Sequence, residues 1–333
     1  MFFAKSNSLG KSSLFCLLIL GTQFKVPVFT LAYSPALSTG EIEKPPRFRA
    51  EVNQVVLYAT VYDKAGELIS DLKQADFTIL EDGSPVTITY FSQDDVPSTS
   101  GIVIDKSGSM RSKQNMVHQA IKLFLSLSHS QNEHYLVMFD REIHLEEDFT
   151  RDADDIREML DNTVVGGGTA MYDAIWLALD KADSGSEAKK VVTVFTDGED
   201  RNSYYQHEEL LDKLLTTNVQ LYVVAFLDRT LNQNRGFFGV FKSPYEKIRA
   251  KVNSIADVSG AKVYFPEKIQ ELNTVFMKIA SELRNQYRIA YITHNPLKNG
   301  GWRTIDVHLK DQEIRKLTVE TKKGYFAGPK NIK

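Results

Sequence analysis

The sequence is poor in cysteine and carries no strong excess of charge of either sign. Cys16 is the only cysteine in 333 residues, and it lies in an apolar stretch near the N-terminus. If that stretch is removed, the mature chain has no thiol, which excludes disulfide bonds and cysteine chemistry. The formal net charge of −3 gives no basic surface of the kind that binds nucleic acid.

Long apolar runs are also missing outside the N-terminal stretch. Lys5 and Lys11 precede an apolar run at 14–20, and Thr30–Leu31–Ala32 offers small residues for cleavage. This order is typical of a secretory signal peptide, so we predict that residues 1–32 direct the protein out of the cytoplasm, as a secreted, periplasmic or cell-envelope protein. An uncleaved N-terminal anchor is the alternative. No later run is long enough to cross a bilayer, so the mature chain is predicted to have no membrane span.

Between residues 98 and 285, strand patterns alternate with helical patterns. Gly101–Asp105 and Val191–Thr196 are apolar runs of strand length, and Met116, Ala120 and Phe124 recur at helical spacing. This alternation predicts an α/β domain with a doubly wound, Rossmann-like parallel sheet.

The segments on either side of this region have β patterns. Apolar residues alternate at 55–62, 76–80 and 86–91 before it, and at 287–292, 303–309 and 317–319 after it. Each flank alone has too few strands to bury a face. We therefore predict that both flanks pair into one small β-sandwich in which the α/β domain is inserted. The predicted organisation is a signal peptide at 1–32, a linker at 33–47, the N-terminal half of the sandwich at 48–97, the α/β domain at 98–285, the C-terminal half of the sandwich at 286–327 and a tail at 328–333.

Oxygen-bearing side chains follow two of the predicted strands. Asp105, Ser107 and Ser109 follow the first strand, Asp197 follows the second, and Thr169 closes a glycine-rich loop between them. Because ligand sites in open parallel sheets form at the carboxyl ends of the strands, we expect these side chains to converge. Carboxylates and hydroxyls without sulfur or imidazole suit Mg²⁺ or Mn²⁺ better than Ca²⁺.

The motifs Asp-x-Ser-x-Ser, Gly-Gly-Thr and Thr-Asp-Gly resemble the metal-ion-dependent adhesion site of the von Willebrand factor type A family. The resemblance implies that all five of these residues hold the metal. It also implies that a Glu or Asp of a protein partner completes the coordination by replacing a water. Which of Asp105 and Asp197 binds the metal directly stays open.

The flanks resemble those of bacterial VWFA-related domain proteins. There, a stretch like Asp76–Phe77 followed by Glu81–Asp82–Gly83 precedes the adhesion-type domain. Stretches like Gln286–Tyr287, Gly301–Trp302–Arg303 and Lys323–Ala327 follow it. The resemblance covers nearly the whole mature chain and implies the same layout of an inserted domain.

The segment after the strand at 219–226 is expected to emerge on the metal face. It carries Phe237, Phe238 and Phe241, which we interpret as possible partner contacts that supply apolar anchors. The alternative is a lid that folds these phenylalanines into the domain.

Enzyme motifs are incomplete in this chain. His207–Leu211 starts like the zinc-protease pattern His-Glu-x-x-His, but Leu211 replaces the second histidine. Ser107 and Ser109 do not lie in Gly-x-Ser-x-Gly, and the glycine loop lacks the lysine of a phosphate-binding loop. We therefore predict a metal-dependent, adhesion-type protein-binding module and no enzyme. The alternatives are a scaffold or assembly component of an envelope complex and, as a weaker one, a hydrolase.

Overall fold

The structure is a computed structural model that describes residues 54–227, 243–268, 270–295, 298–310 and 316–328. The predicted signal peptide, the predicted linker and Phe237, Phe238 and Phe241 lie outside these residues. Within them, no helix combines the length and apolar character needed to cross a membrane.

A six-stranded sheet forms the centre of the α/β domain, in the order β10-β9-β8-β5-β6-β7. Its strands are β5 (Ser98–Asp105), β6 (Glu133–Phe139), β7 (Ile143–Thr150), β8 (Lys189–Thr196), β9 (Gln220–Ala225) and β10 (Val263–Tyr264). All pairings are parallel except that of β6 with β7. Strand β7 departs from the predicted parallel sheet because only the turn 140–142 separates it from β6, which is too short for a parallel crossover.

Helices cover both faces of the central sheet. They are α1 (Gln114–Leu127), α2 (Ala153–Asp161), α3 (Met171–Ser184), α4 (His207–Thr216), α5 (Pro244–Ser259) and α6 (Gln270–Arg284). One apolar core joins α1, α2 and α6 to the sheet, and a second joins α3, α4 and α5 to the opposite face. Every residue of β5 is buried as a result. The doubly wound prediction is confirmed.

The two flanks of the chain build two further sheets, which share one apolar core. The first sandwich sheet has the order β13-β1-β11-β4, and the second has the order β14-β12-β2-β3. Their strands are β1 (Gln54–Tyr62), β2 (Phe77–Glu81), β3 (Ser84–Val86), β4 (Ile88–Ser92), β11 (Tyr287–Ile292), β12 (Trp302–Leu309), β13 (Thr318–Glu320) and β14 (Gly324–Phe326). Strands of one flank pair with strands of the other in both sheets, as β1 does with β11 and β2 with β12.

The single return strand predicted at 86–91 is wrong. The chain leaves the second sandwich sheet after Val86 and joins the first one at Ile88, so two short strands replace one. This switch lets Val86, Ile88 and Phe91 all pack against the same sandwich core. One continuous strand would send alternate side chains to opposite faces and would leave some of them outside that core.

Candidate metal site

The carboxylate of Asp105 is held rigidly at the carboxyl end of β5. It is fully buried, and its Oδ1 accepts a hydrogen bond of 2.9 Å from the Ser107 backbone N–H. Its Oδ2 accepts one of 2.9 Å from the Thr196 hydroxyl on β8. The Ser107 and Ser109 hydroxyl oxygens lie 3.1 Å apart. The first motif therefore gathers one carboxylate and two hydroxyls into a single turn.

The glycine-rich loop before α3 binds to both neighbouring segments. The Gly166 N–H donates to the carbonyl of Lys106 at 2.9 Å, inside the Asp105–Ser109 turn. The Thr169 carbonyl accepts from the N–H groups of Arg201 and Asn202, each at 2.9 Å. Thr169 therefore lies between the turn after β5 and the loop after β8.

Two glycines of this loop allow it to approach its neighbours closely. Gly167 has φ +81°, and a Cβ there would lie 2.9 Å from Cγ of Asp140. A Cβ on Gly168 would lie 2.0 Å from Oδ1 of Asn202. That oxygen accepts the Thr169 N–H at 2.9 Å. These contacts require glycine at both positions, so the loop forms a tight turn against its neighbours.

Asp197 follows β8 directly and lies at the same edge as Asp105, because β5 and β8 are neighbours, with Ile104 beside Phe195. Asp197 is 8% exposed, and its Oδ1 accepts the Glu199 N–H at 3.2 Å. Gly198, at φ +81°, completes this turn under helix α5.

Burial raises the pKa of Asp105 to about 6. Hydrogen bonds from Ser107 lower that pKa, and the negative charge of Asp197 raises it. Neither aspartate forms an ion pair with a lysine or arginine of the described residues. Two buried acids without a cation are costly when both are ionised, so this arrangement favours the binding of a positive ion.

The donor set fits a hard divalent cation. Two carboxylates offset the charge of such an ion, and three hydroxyls add oxygen donors without further charge. Among the described residues, no group of three or more histidine, cysteine and acidic side chains is arranged to hold a metal. A metal at this edge would therefore depend on Ser107, Ser109 and Thr169 as well as on the two aspartates.

Three residues that support the site were not found from the sequence. Thr196 holds Asp105 from β8, Gln114 donates to the Asp105 carbonyl at 2.7 Å, and Asn202 holds Thr169. Thr196 is the first residue of the Thr-Asp-Gly motif, and this position was the one sequence signal that could have indicated its role. The other two lie outside the motifs, and their contacts depend on the fold.

The acidic residues after Asp197 have other partners. Asp200 Oδ1 accepts the Tyr172 N–H at 3.2 Å at the start of α3, and Glu199 forms an ion pair with Arg201. Among the described contacts of Ser107 and Ser109, no histidine is bonded to either hydroxyl. His207 bonds to Ser254 at 3.0 Å.

Comparison with known proteins finds a family match within the α/β domain. Residues 101–199 match the family model of the von Willebrand factor type A domain, and all five candidate ligands lie within that match. The central sheet with helices on both faces has the fold of this domain type. No curated protein matches the chain.

Several solved structures are similar to parts of this chain. An aerotolerance-related membrane protein from Bacteroides fragilis, carrying multiple mutations to serines, is 17% identical, with a TM-score of 0.44 over 56% of this chain and 98% of that chain. A von Willebrand factor type A protein from Catenulispora acidiphila is 11% identical, with a TM-score of 0.47 over 84% and 74%. The pilus adhesin SpaC from Lactobacillus rhamnosus GG is 13% identical, with a TM-score of 0.44 over 63% and 34%.

Proposed function

We propose that the protein is a binding module that captures an acidic side chain of a partner protein through Mg²⁺ or Mn²⁺. The metal would be held by Asp105, Ser107, Ser109, Thr169 and Asp197. The observation that carries this proposal is the pair of buried aspartates, which lie among hydroxyls and have no cationic partner in the described chain. The family match supports it, because domains of this type are typically interaction modules.

The protein residues leave a place for the partner. The bound ion would supply a positive charge that attracts a carboxylate. Five side chains offer at most five ligand groups, whereas Mg²⁺ prefers six oxygens in octahedral geometry. The hydrogen bonds from Thr196 and from the Ser107 N–H orient the Asp105 carboxylate before any ion binds. Such preorganisation lowers the cost of ordering the site on binding.

The proposed place of action is outside the cytoplasm. The signal-peptide pattern of residues 1–32 supports export. A partner would then be a secreted or envelope protein that meets the metal face of the α/β domain.

A pull-down from an envelope fraction tests this function. We expect a partner to be captured by the wild type in Mg²⁺, and to be lost both in EDTA and with Asp105→Asn. Asp140→Asn is the matched control, because Asp140 lies at the same sheet edge but accepts the Glu142 N–H at 2.9 Å. A partner retained in EDTA would indicate a scaffold that associates through other surfaces, and would contradict metal-dependent capture.

Two exposed apolar side chains lie in the two loops that the hydrogen bonds of Thr169 join. Val164 and Tyr204 are 81% and 83% exposed, the highest values among the large hydrophobic residues that the structure describes. Val164 precedes the glycine-rich loop, and Tyr204 follows Asn202, so the bonds around Thr169 hold their two loops together. Apolar side chains near the site would lose contact with water when a partner covers them, which favours binding. We infer that the acidic residue of the partner is flanked by apolar side chains.

The double substitution Val164→Ser with Tyr204→Ser should weaken partner binding about tenfold, because it removes apolar contact area at the rim. Mg²⁺ affinity should stay unchanged, since neither side chain is a candidate ligand. Calorimetry with MgCl₂ and a partner-binding assay measure the two quantities separately. Met277→Ser, at a 50% exposed position on α6, is the control. Unchanged partner affinity in the double variant would contradict this role.

A further inference from the structure

Strand β1 has an open edge over its first half. On one side it pairs with β11 from Gln54 to Ala59. On the other side it pairs with β13 only from Thr60 to Tyr62. On that second side, residues 54–58 therefore pair with no strand among the residues that the structure describes.

The backbone groups at this edge point away from β11. The Thr321 hydroxyl donates to the Tyr58 carbonyl at 3.0 Å, so Tyr58 faces the side of β13. The N–H and C=O groups of one residue in an antiparallel strand point to the same side, and this side alternates along the strand. Gln54 and Val56 therefore also direct their N–H and C=O groups to the open side. The edge has no lysine, proline or bulge of the kind that protects exposed edges.

Two cavities border this edge, one on each face of the sheet. The first has a volume of about 180 Å³ and is lined by Tyr58, Gln220, Arg288 and other residues. The second has a volume of about 170 Å³, and its lining combines apolar side chains such as Leu57 and Ile305 with polar ones such as Gln54 and Thr216. Val56, Leu57, Asn218 and Lys322 line both cavities. They therefore form one cleft along β1, with the edge of the strand between its two halves.

The first cavity is suited to a negative group. Its lining contains Arg288 and Lys322 and no acidic residue. The Lys322 ammonium donates to the Thr217 carbonyl and to the Asn218 side chain, which leaves a third N–H available. Burial lowers the pKa of Lys322 to about 8, so the ammonium is still charged at neutral pH.

Two buried polar atoms of this cavity have no hydrogen-bond partner, namely Nε of Arg288 and Oε1 of Gln220. The Gln220 residue is only 4% exposed. Buried polar groups in folded proteins are nearly always hydrogen-bonded, so each such group calls for an explanation. Both atoms are enclosed by protein, so a bound group that offers an acceptor and a donor would pair with them only after the two side chains turn toward the cavity. A peptide segment with an acidic side chain offers both kinds of group.

We propose that this cleft binds an extended acidic segment of a partner protein, which adds as a strand to the open edge of β1. Its backbone would pair with Gln54 and Val56, as in other cases of strand addition. Because side chains alternate across a strand, an acidic residue would enter the cavity with Arg288 and Lys322. The adjacent apolar residue would enter the cavity with Ile305. This site lies between the sandwich and the α/β domain, which contributes Asn218 and Gln220, and it does not involve the candidate metal ligands.

The probe for this proposal is a fluorescein-labelled peptide of alternating valine and glutamate, five residues long, and its control is the same peptide with glutamine for glutamate. In EDTA, we expect the glutamate peptide to bind the full chain with a Kd below about 1 mM, and the glutamine peptide to bind at least tenfold more weakly. Hydrogen exchange should show new protection at residues 54–58. EDTA makes the result independent of the proposed metal function.

Arg288→Gln and Lys322→Gln should each weaken binding of the glutamate peptide about tenfold, because each substitution removes a charge-assisted hydrogen bond. Lys64→Gln, which removes an exposed charge on a turn of the sandwich, should leave binding unchanged. Val56→Pro removes an N–H of the open edge and should abolish binding of the peptide. If the Val56→Pro variant does not fold, Arg288→Gln and Lys322→Gln still test the proposal.

Three results would overturn the proposal. They are absence of binding by both peptides at millimolar concentration, equal affinity for the two peptides, and protection that falls outside residues 54–58. A homodimer that forms through this edge and excludes the peptide would also overturn it, because the occupant would then be a second copy of the chain.

Discussion

Asp105→Asn should abolish Mg²⁺ binding and, in the same molecule, stabilise the metal-free protein at neutral pH. The variant loses one of two carboxylates in the candidate site, so the attraction for a divalent ion falls sharply. It keeps the shape of the side chain. The asparagine oxygen can still accept the Ser107 N–H, and its amide can donate to the Thr196 hydroxyl, the two contacts that Asp105 now makes.

The gain in stability follows from the raised pKa of Asp105. The pKa of this carboxyl is ordinarily 3.8, and it is raised to about 6 in the folded protein. Between these two pH values, the folded state therefore binds more protons than the unfolded state. The free energy of unfolding therefore falls as the pH rises from about 4 to about 6, and it stays lower above that range. A shift of about two pKa units corresponds to roughly 3 kcal/mol.

Thermal unfolding in EDTA from pH 4 to pH 8 measures this effect. The difference in unfolding free energy between variant and wild type should grow across the window from about pH 4 to about pH 6 in favour of the variant. In MgCl₂ the wild type should regain stability at pH 7, and the variant should not, because only the wild type binds the ion. Parallel pH profiles of the two proteins in EDTA would show that Asp105 is not the unpaired buried acid that the structure describes.

The central fold and the sheet edge on which the two aspartates lie could be predicted because both depend on local patterns. Alternating strand and helix patterns specify the parallel sheet, and a residue directly after a parallel strand must lie at its carboxyl edge. That rule places Asp105 at the end of β5 and Asp197 directly after the neighbouring strand β8. Their role as metal ligands stays a prediction that calorimetry can test.

The features that could not be predicted depend on contacts between distant segments. Asn202 supports Thr169 across 33 residues, and neither residue type indicates the other. The chain switches between the sandwich sheets after Val86 because β3 pairs with β2 and β4 pairs with β11. Those pairings depend on the fold and not on the local sequence. The open edge of β1 depends on the length of β13, which pairs with it over three residues only. The sequence of an edge strand does not indicate how far the strand extends, because the residue at which it stops pairing depends on its contacts with the neighbouring strand.

A buried carboxylate in the sandwich joins both of its sheets and should be its most sensitive position. Glu81 on β2 is only 4% exposed. It accepts hydrogen bonds from the hydroxyls of Tyr291 on β11 at 2.8 Å and Tyr325 on β14 at 3.0 Å. It also accepts one from Thr293. Because β11 belongs to the first sheet, and β2 and β14 to the second, this one carboxylate links strands from both flanks of the chain.

Glu81→Ala should lower the free energy of unfolding by about 3–5 kcal/mol, because it removes the acceptor of three hydroxyls and leaves a cavity. Glu81→Gln, which keeps an acceptor oxygen and the volume, should cost less than half of that. Urea unfolding followed by circular dichroism measures both, with the exposed Glu67→Ala as the control, expected to lie within about 0.5 kcal/mol of the wild type. A loss as small as the control's for Glu81→Ala would mean that apolar packing alone holds the two sheets together. The hydroxyl cluster would then have no structural role.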